Sequence, residues 1–237
     1  MKIFAISDPH LSTAVAKPMD IFGPGWEDHW ERICKDWKTK VSEDDLVLIA
    51  GDISWGMYME EAQPDLDLIG QLSGKKVILR GNHDYWWKSI SAVRNALPKN
   101  MFAVQNDCLR FEDVLVCGSR GWTVPETTFK SEEDEKLFKR ELIRLELSLQ
   151  EMTKMRKEGD FVLAMTHYPP FNAKMTDSEV TALMEKYNVD CVVYGHLHGK
   201  NCRVELDYKR HGIRYLLTSC DQINCKLVEI KRSKRKI

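Results

Sequence analysis

Five histidines, three aspartates and one asparagine stand in short polar clusters, each directly after an apolar run. Residues 3–6 run into Ser7-Asp8-Pro9-His10, 46–50 into Gly51-Asp52, and 77–79 into Arg80-Gly81-Asn82-His83-Asp84. Residues 161–165 run into Thr166-His167, and 191–194 into Gly195-His196-Leu197-His198. Carboxylate, amide oxygen and neutral imidazole suit hard-to-borderline divalent cations such as manganese, iron, zinc or nickel. No cysteine stands in any cluster, which argues against a structural tetrahedral zinc site. The donors outnumber what one cation takes. Two cations about 3.5–4 Å apart and sharing a carboxylate would use them all, and such pairs stabilise both the attacking and the leaving oxygen of phosphoryl transfer. His196 and His198, two residues apart in extended chain, project to one side as two ligands must. Gly51, Gly81 and Gly195 precede ligands, at turns where a Cβ would crowd the site or force strain.

These clusters need elements that bring them together. The apolar runs are continuous rather than alternating, as expected of strands buried on both faces of a sheet. In parallel α/β sheets the carboxyl ends of the strands share one edge, where ligands collect. Trp26, Trp30, Ile33, Trp37 and Val41 are spaced as one helical face, and their expected role is core packing. Phe138, Leu142, Leu145, Leu149 and Met152 repeat that pattern, preceded by Ser131 and Asp134 in a spacing that resembles a capping box. The pairs 102–111 and 114–118, and the segments 202–206, 213–218 and 226–230, read as antiparallel strands. The alternation of strand and helix predicts an α/β or α+β chain with a large buried sheet.

The chain has 237 residues, which predicts a single domain over 1–237. Residues 119–158 are expected to cap the site, and 231–237 to form a solvated basic tail. Lys and Arg number 35 against 36 Asp and Glu, so the net charge of -1 disfavours a nucleic-acid partner. No apolar run approaches the length of a membrane span, and Asp8 comes too early for a secretion signal. The seven scattered cysteines, with no CxxC pair, read as reduced and mostly buried thiols of a cytoplasmic protein. Oligomeric state is not readable. Trp86 and Trp87 are expected to pack the sheet edge against the next helix, with stacking on a substrate group as the alternative. Arg80 reads either as a phosphate contact or as a surface residue.

Each motif alone is common, but their joint order is specific. Asp8-Pro9-His10, Gly51-Asp52, Gly81-Asn82-His83-Asp84, His167 and Gly195-His196-Leu197-His198 together resemble the calcineurin-like metallophosphoesterase superfamily. That family's pattern is D-x-H, G-D, G-N-H-[DE], a lone H, and G-H-x-H. The resemblance implies two packed β-sheets flanked by helices, a four-layer αββα sandwich. It implies a metal-dependent phosphatase or phosphodiesterase acting on a small or medium phosphate ester. Asp8, His10 and His198 would hold one divalent cation with Asp52, which bridges; Asn82, His167 and His196 would complete the second. A hydroxide bridging the cations would attack phosphorus. His83 would donate a proton to the leaving oxygen or bind the phosphate, with Asp84 orienting its imidazole. Phosphoprotein phosphatases of this superfamily continue the second motif as GDxxDRG. Here residues 51–56 read Gly51-Asp52-Ile53-Ser54-Trp55-Gly56, so protein dephosphorylation is not expected. A nuclease of the same superfamily and a non-catalytic scaffold are the alternatives.

Overall fold

The apolar runs at Ile3–Ile6 (β1), Leu46–Ile49 (β2) and Lys75–Ile78 (β3) lie side by side and parallel, with Met101–Ala103 (β4) beyond β3. Val228–Glu229 (β11) closes the other edge of this five-stranded sheet, antiparallel to β1. The computed structural model describes residues 1–202 and 204–232. A second sheet has six strands: Cys108–Phe111 (β5), Val114–Ser119 (β6), Phe161–Thr166 (β7), Cys191–Tyr194 (β8), Ile213–Leu217 (β10) and Asp207–Arg210 (β9), in that spatial order. Strands β6, β7, β8 and β10 are parallel, and the β5–β6 and β9–β10 pairs are antiparallel hairpins.

Alternation within each run explains why it is apolar throughout. Ile3 and Ala5 of β1 and Leu46 and Leu48 of β2 face the second sheet, where they meet Val116, Leu163 and Val193. Phe4, Ile6, Val47 and Ile49 face outward onto His29–Lys40 (α1), Met59–Gly70 (α2) and Ile90–Ala96 (α3). The second sheet repeats the arrangement, with Val162, Ala164, Val192 and Tyr194 under Glu132–Met155 (α4) and Glu179–Lys186 (α5). The result is the αββα sandwich. Among the described residues no helix is long and apolar enough to cross a membrane.

The two sheets are stitched together at their carboxyl ends. Ser7 donates its N–H to Thr218 O at 2.7 Å, Cys220 donates to Ser7 O at 3.0 Å, and the Ser7 and Thr218 hydroxyls meet at 2.6 Å. The His167 Nδ1–H reaches across to Ala50 O at 2.9 Å. The polar clusters of both sheets therefore share one edge.

Several expected elements differ. Residues 102–111 are not one strand: β4 belongs to the first sheet and β5 to the second, so the chain changes sheets between them. The described residues 202 and 204–206 form no strand, and β10, antiparallel to β9 as expected, also runs parallel to β8. Residues 119–158, expected as a cap, divide into a loop and a helix. Most of them are α4, whose Phe138, Leu145, Leu149 and Met152 are buried against the second sheet, leaving a loop that brings Thr123 and Val124 towards the site. Helix α4 starts where the capping signal placed it, with Ser131 Oγ accepting the Asp134 N–H at 3.1 Å. Trp26 precedes α1 rather than lying on it. Trp86 and Trp87 are buried core residues. All seven cysteines are free and five are buried, with the Cys220 and Cys225 sulfurs 3.2 Å apart. The expected tail lies outside the described residues from position 233 on, while Arg232 pairs with Asp113 at 2.6 Å.

Leu163 has no exposed surface and fills the layer between the sheets. Leu163→Ala should cost about 2–5 kcal/mol. Urea unfolding should show this as a lower midpoint at unchanged slope.

Candidate metal centre

All nine residues expected at the site come from the shared edge, but Asp84 plays a different part from the one expected. Asp8 (φ 56°), His10 (φ 45°), Asp52 (φ 52°) and His196 (φ 72°) adopt left-handed backbone conformations. Each such residue without glycine's freedom costs about 1–2 kcal/mol. Cross-strand bonds hold two of these turns in place: Asp8 N–H to Gly51 O and His10 N–H to Asp52 O, both 3.0 Å. The strain aims side chains at a common point that ordinary strand ends would miss.

The inward atoms lie close together. His198 Nε2 is 3.4 Å from Asp8 Oδ1, and His10 Nε2 is 3.7 Å from Asp52 Oδ2. His167 Nε2 is 3.4 Å from Asp52 Oδ2 and 2.7 Å from Asn82 Oδ1, which also lies 2.9 Å from His196 Nδ1. Asp8, His10 and His198 offer donor atoms within 4.8 Å of one another, as do Asp8, Asp52 and His167. His198 Nε2 and His10 Nδ1 are buried without a hydrogen-bond partner. Oxygen and imidazole donors turned inward with unused acceptor capacity fit divalent cations.

Two glycines show why the approach must be bare. A Cβ on Gly81 would stand 2.1 Å from Asp52 Oδ1, and one on Gly195 would stand 2.4 Å from Asp8 Oδ2. Any side chain there would displace a carboxylate.

Asp84 does not orient His83. Its buried carboxylate accepts N–H bonds from Gly81 at 2.7 Å, Ile53 at 2.8 Å, Asp52 at 2.9 Å, Trp86 Nε1 at 3.1 Å and Ser54 at 3.3 Å. It clamps the β2 and β3 loops together, while His83 Nδ1 has no partner. Burial and the Asp52 charge push Asp84 up to about 6, against these donors, which favour the carboxylate. His83 is fixed instead by its own N–H, donated to Asp52 Oδ1 at 2.8 Å, and by Trp55, whose ring lies 4.6 Å away.

Burial alone would raise the carboxyls of Asp8 and Asp52. His198 and His167 beside Asp8, and His167 and His10 beside Asp52, hold both below the usual range. Burial opposes charge on His167 and His198, but the carboxylates outweigh it and push these imidazoles up to about 9 and about 10. His10 and His196 are pushed down to about 4 by burial.

Sequence reading missed three supporting residues. Asp221 Oδ1 lies 2.8 Å from His198 Nδ1 and fixes its ring, as second-layer carboxylates do for metal-binding histidines. Its signal was available, since the 213–218 run also ends in a polar cluster. Trp55 stacks on His10 at 4.8 Å, and Trp26 stands 5.8 Å from His10 and 5.4 Å from His198. Beside the histidines opens a cavity of about 590 Å³ lined by Tyr168, Phe171, Tyr194 and Leu197 as well as His196 and His198.

The topology gathers carboxylates and histidines at one carboxyl edge, in groups that could hold a metal ion. Residues 1–200 match the family model for calcineurin-like phosphoesterases, and the chain belongs to that family of phosphoester hydrolases. None of the curated proteins matches it. Among solved structures it is similar to the protein of unknown function AQ665 from Aquifex aeolicus, at 13% identity over 96% of this chain and 95% of that one, with a TM-score of 0.49.

Asp84→Asn leaves one acceptor where five N–H groups converge and sets an amide N–H₂ against donors. The variant should lose on the order of 3 kcal/mol of stability, measured by urea unfolding. An unchanged midpoint would contradict the clamp.

Proposed function

We propose that this chain hydrolyses a small or medium phosphomonoester or phosphodiester with two divalent cations. The observation that carries the reading is the convergence of seven donor residues on one edge, beside a cavity large enough for an organic group. Asp8, His10 and His198 would hold one cation; Asn82, His167 and His196 would hold the other. Asp52 would stand between them, a role supported by its Oδ2 facing both His10 and His167. When bound, the cations supply Lewis acidity and lower the pKa of water. Manganese is the first ion to test, since imidazole and carboxylate donors accept several first-row metals.

The chain's own residues do the rest. His83, half-buried at the mouth, delivers a proton to the leaving oxygen. Burial holds its imidazole below the ordinary range with Asp52 opposing, and an anionic phosphate beside it favours the protonated form. Trp26 and Trp55 pack against His10 and shield that side of the site from water. The apolar cavity takes the organic part of the ester, in contact with the His196 and His198 rings.

Manganese-loaded protein should hydrolyse p-nitrophenyl phosphate or its bis ester, and Asp52→Asn should reduce turnover to background. His83→Ala should cost about 10²–10⁴-fold in kcat on an alkyl phosphate. The loss should be smaller on the p-nitrophenyl ester, whose leaving group needs no proton. Failure of loaded protein on both aryl esters would sink this function.

Ligation needs neutral imidazoles. His167 and His198, pushed up to about 9 and about 10 without cations, are protonated at pH 7 and must release protons as metal binds. Manganese titration calorimetry should therefore give enthalpies that depend on the buffer's ionisation heat. Affinity should weaken as pH falls. Buffer-independent heats would contradict the ligand assignment.

A further inference from the structure

A second cleft, of about 190 Å³, lies on the same edge and is lined by Arg80, Lys88, Arg120, Arg140, Arg144 and Glu141. Arg80 follows β3, Arg120 follows β6, and the other arginines come from one face of α4. Glu141 is buried and pairs with Arg144 at 2.7 Å and with Arg120 and Arg140 at 3.5 Å each. One carboxylate cannot balance five cations. Asp84, the other acid acting on Arg80, is already engaged by five N–H donors. Arg80 Nε, Arg120 Nε and the Asn106 side-chain oxygen are buried in or beside this cleft without a hydrogen-bond partner.

Confining like charges in a partly buried space is costly unless an anion completes the set. Guanidinium forks match the oxygens of a phosphate in spacing and plane. The cleft has room for one such group with its waters. It also shares two chain segments with the metal centre. Arg80 is two residues before Asn82, and the Arg120 carbonyl accepts the N–H of His167 at 2.9 Å and of Tyr168 at 3.0 Å.

We propose that this cleft binds a phosphate-class oxyanion, and that the preferred substrate is an ester carrying a second phosphate that docks there. The anion site stands on the cleft alone; the substrate statement rests on the phosphoesterase function proposed above. A free inorganic phosphate would satisfy the same chemistry, and two measurements separate the sources.

Inorganic phosphate is titrated calorimetrically into the full chain, with manganese and after chelator treatment. A site should persist without metal and weaken with salt. Arg80→Gln should weaken it at least tenfold, and Arg140→Gln several-fold. Arg140 is half-exposed and its loss leaves Glu141 paired with Arg120 and Arg144, so the second variant guards against misfolding of the first. On manganese-loaded enzyme, the kcat/KM ratio of glucose 1,6-bisphosphate to glucose 1-phosphate is then measured. A ratio that falls at least tenfold in Arg80→Gln supports docking of the substrate's second phosphate. An unmoved ratio overturns that part and assigns the cleft to free phosphate. Absence of metal-independent phosphate binding, or equal binding in both variants and wild type, overturns the site itself. Phosphate binding without hydrolysis of any ester would sink the phosphoesterase function and leave the site standing.

Discussion

Two ionised carboxylates, Asp8 and Asp52, are held almost wholly out of water at the meeting point of the two sheets. Placing charge there is unfavourable unless something of opposite sign is close. Much of the edge is arranged around that requirement. His198 and His167 lean on Asp8, and His167 and His10 on Asp52, so that both acids stay ionised despite burial. Imidazoles serve this purpose better than lysine or arginine would, because they can give up their protons and turn a lone pair to a cation.

The same requirement dictates the backbone. Four of the inward-facing residues adopt left-handed conformations that a β-strand would not supply. The turns persist because neighbouring loops over-determine them. Asp84 gathers N–H groups from both sides of the β2 and β3 ends, and the Ser7–Thr218 contact locks β1 to β10. Gly81 and Gly195 leave the clearance that the Asp52 and Asp8 carboxylates occupy. The wide inter-sheet core of Leu48, Leu163 and Val193 provides the rigid base against which this strain can be held.

Along the edge, chemistry changes with distance from the carboxylates. The centre is anionic and lined by imidazoles. One flank is apolar, around Phe171 and Leu197, and the other carries an excess of arginine. A substrate spanning these zones would present a phosphate between an organic group and a further anion. Charge balance over the whole chain conceals this, since acidic and basic residues cancel in the sum while remaining segregated in space.

Much of this was legible in the sequence. Strands buried on both faces must be apolar throughout, so each run announced itself, and the polar residues after it were the ones left at the sheet edge. That is why the ligand-type residues at the sheet edge could be read in advance, while the start of α4 was legible in its Ser131–Asp134 spacing and the sandwich followed from the family resemblance. Partners opposite one another were not legible. His83 and Asp84 are adjacent in sequence, yet Asp84 bonds the backbone of loops some thirty residues away and leaves His83 to Trp55. The stretch 119–158 read as a cap because it opens on a long polar connection, but one stripe of α4 completes the second core. Trp26 continued a helical spacing and instead stands against His10 and His198. Arg80, Arg120 and Arg144 are separated by tens of residues and carry no common motif. Local sequence decides which residues end a strand, because burial acts on each strand separately. Only the packing of one sheet against the other decides which of those ends meet, because that depends on contacts between segments that no spacing along the chain encodes.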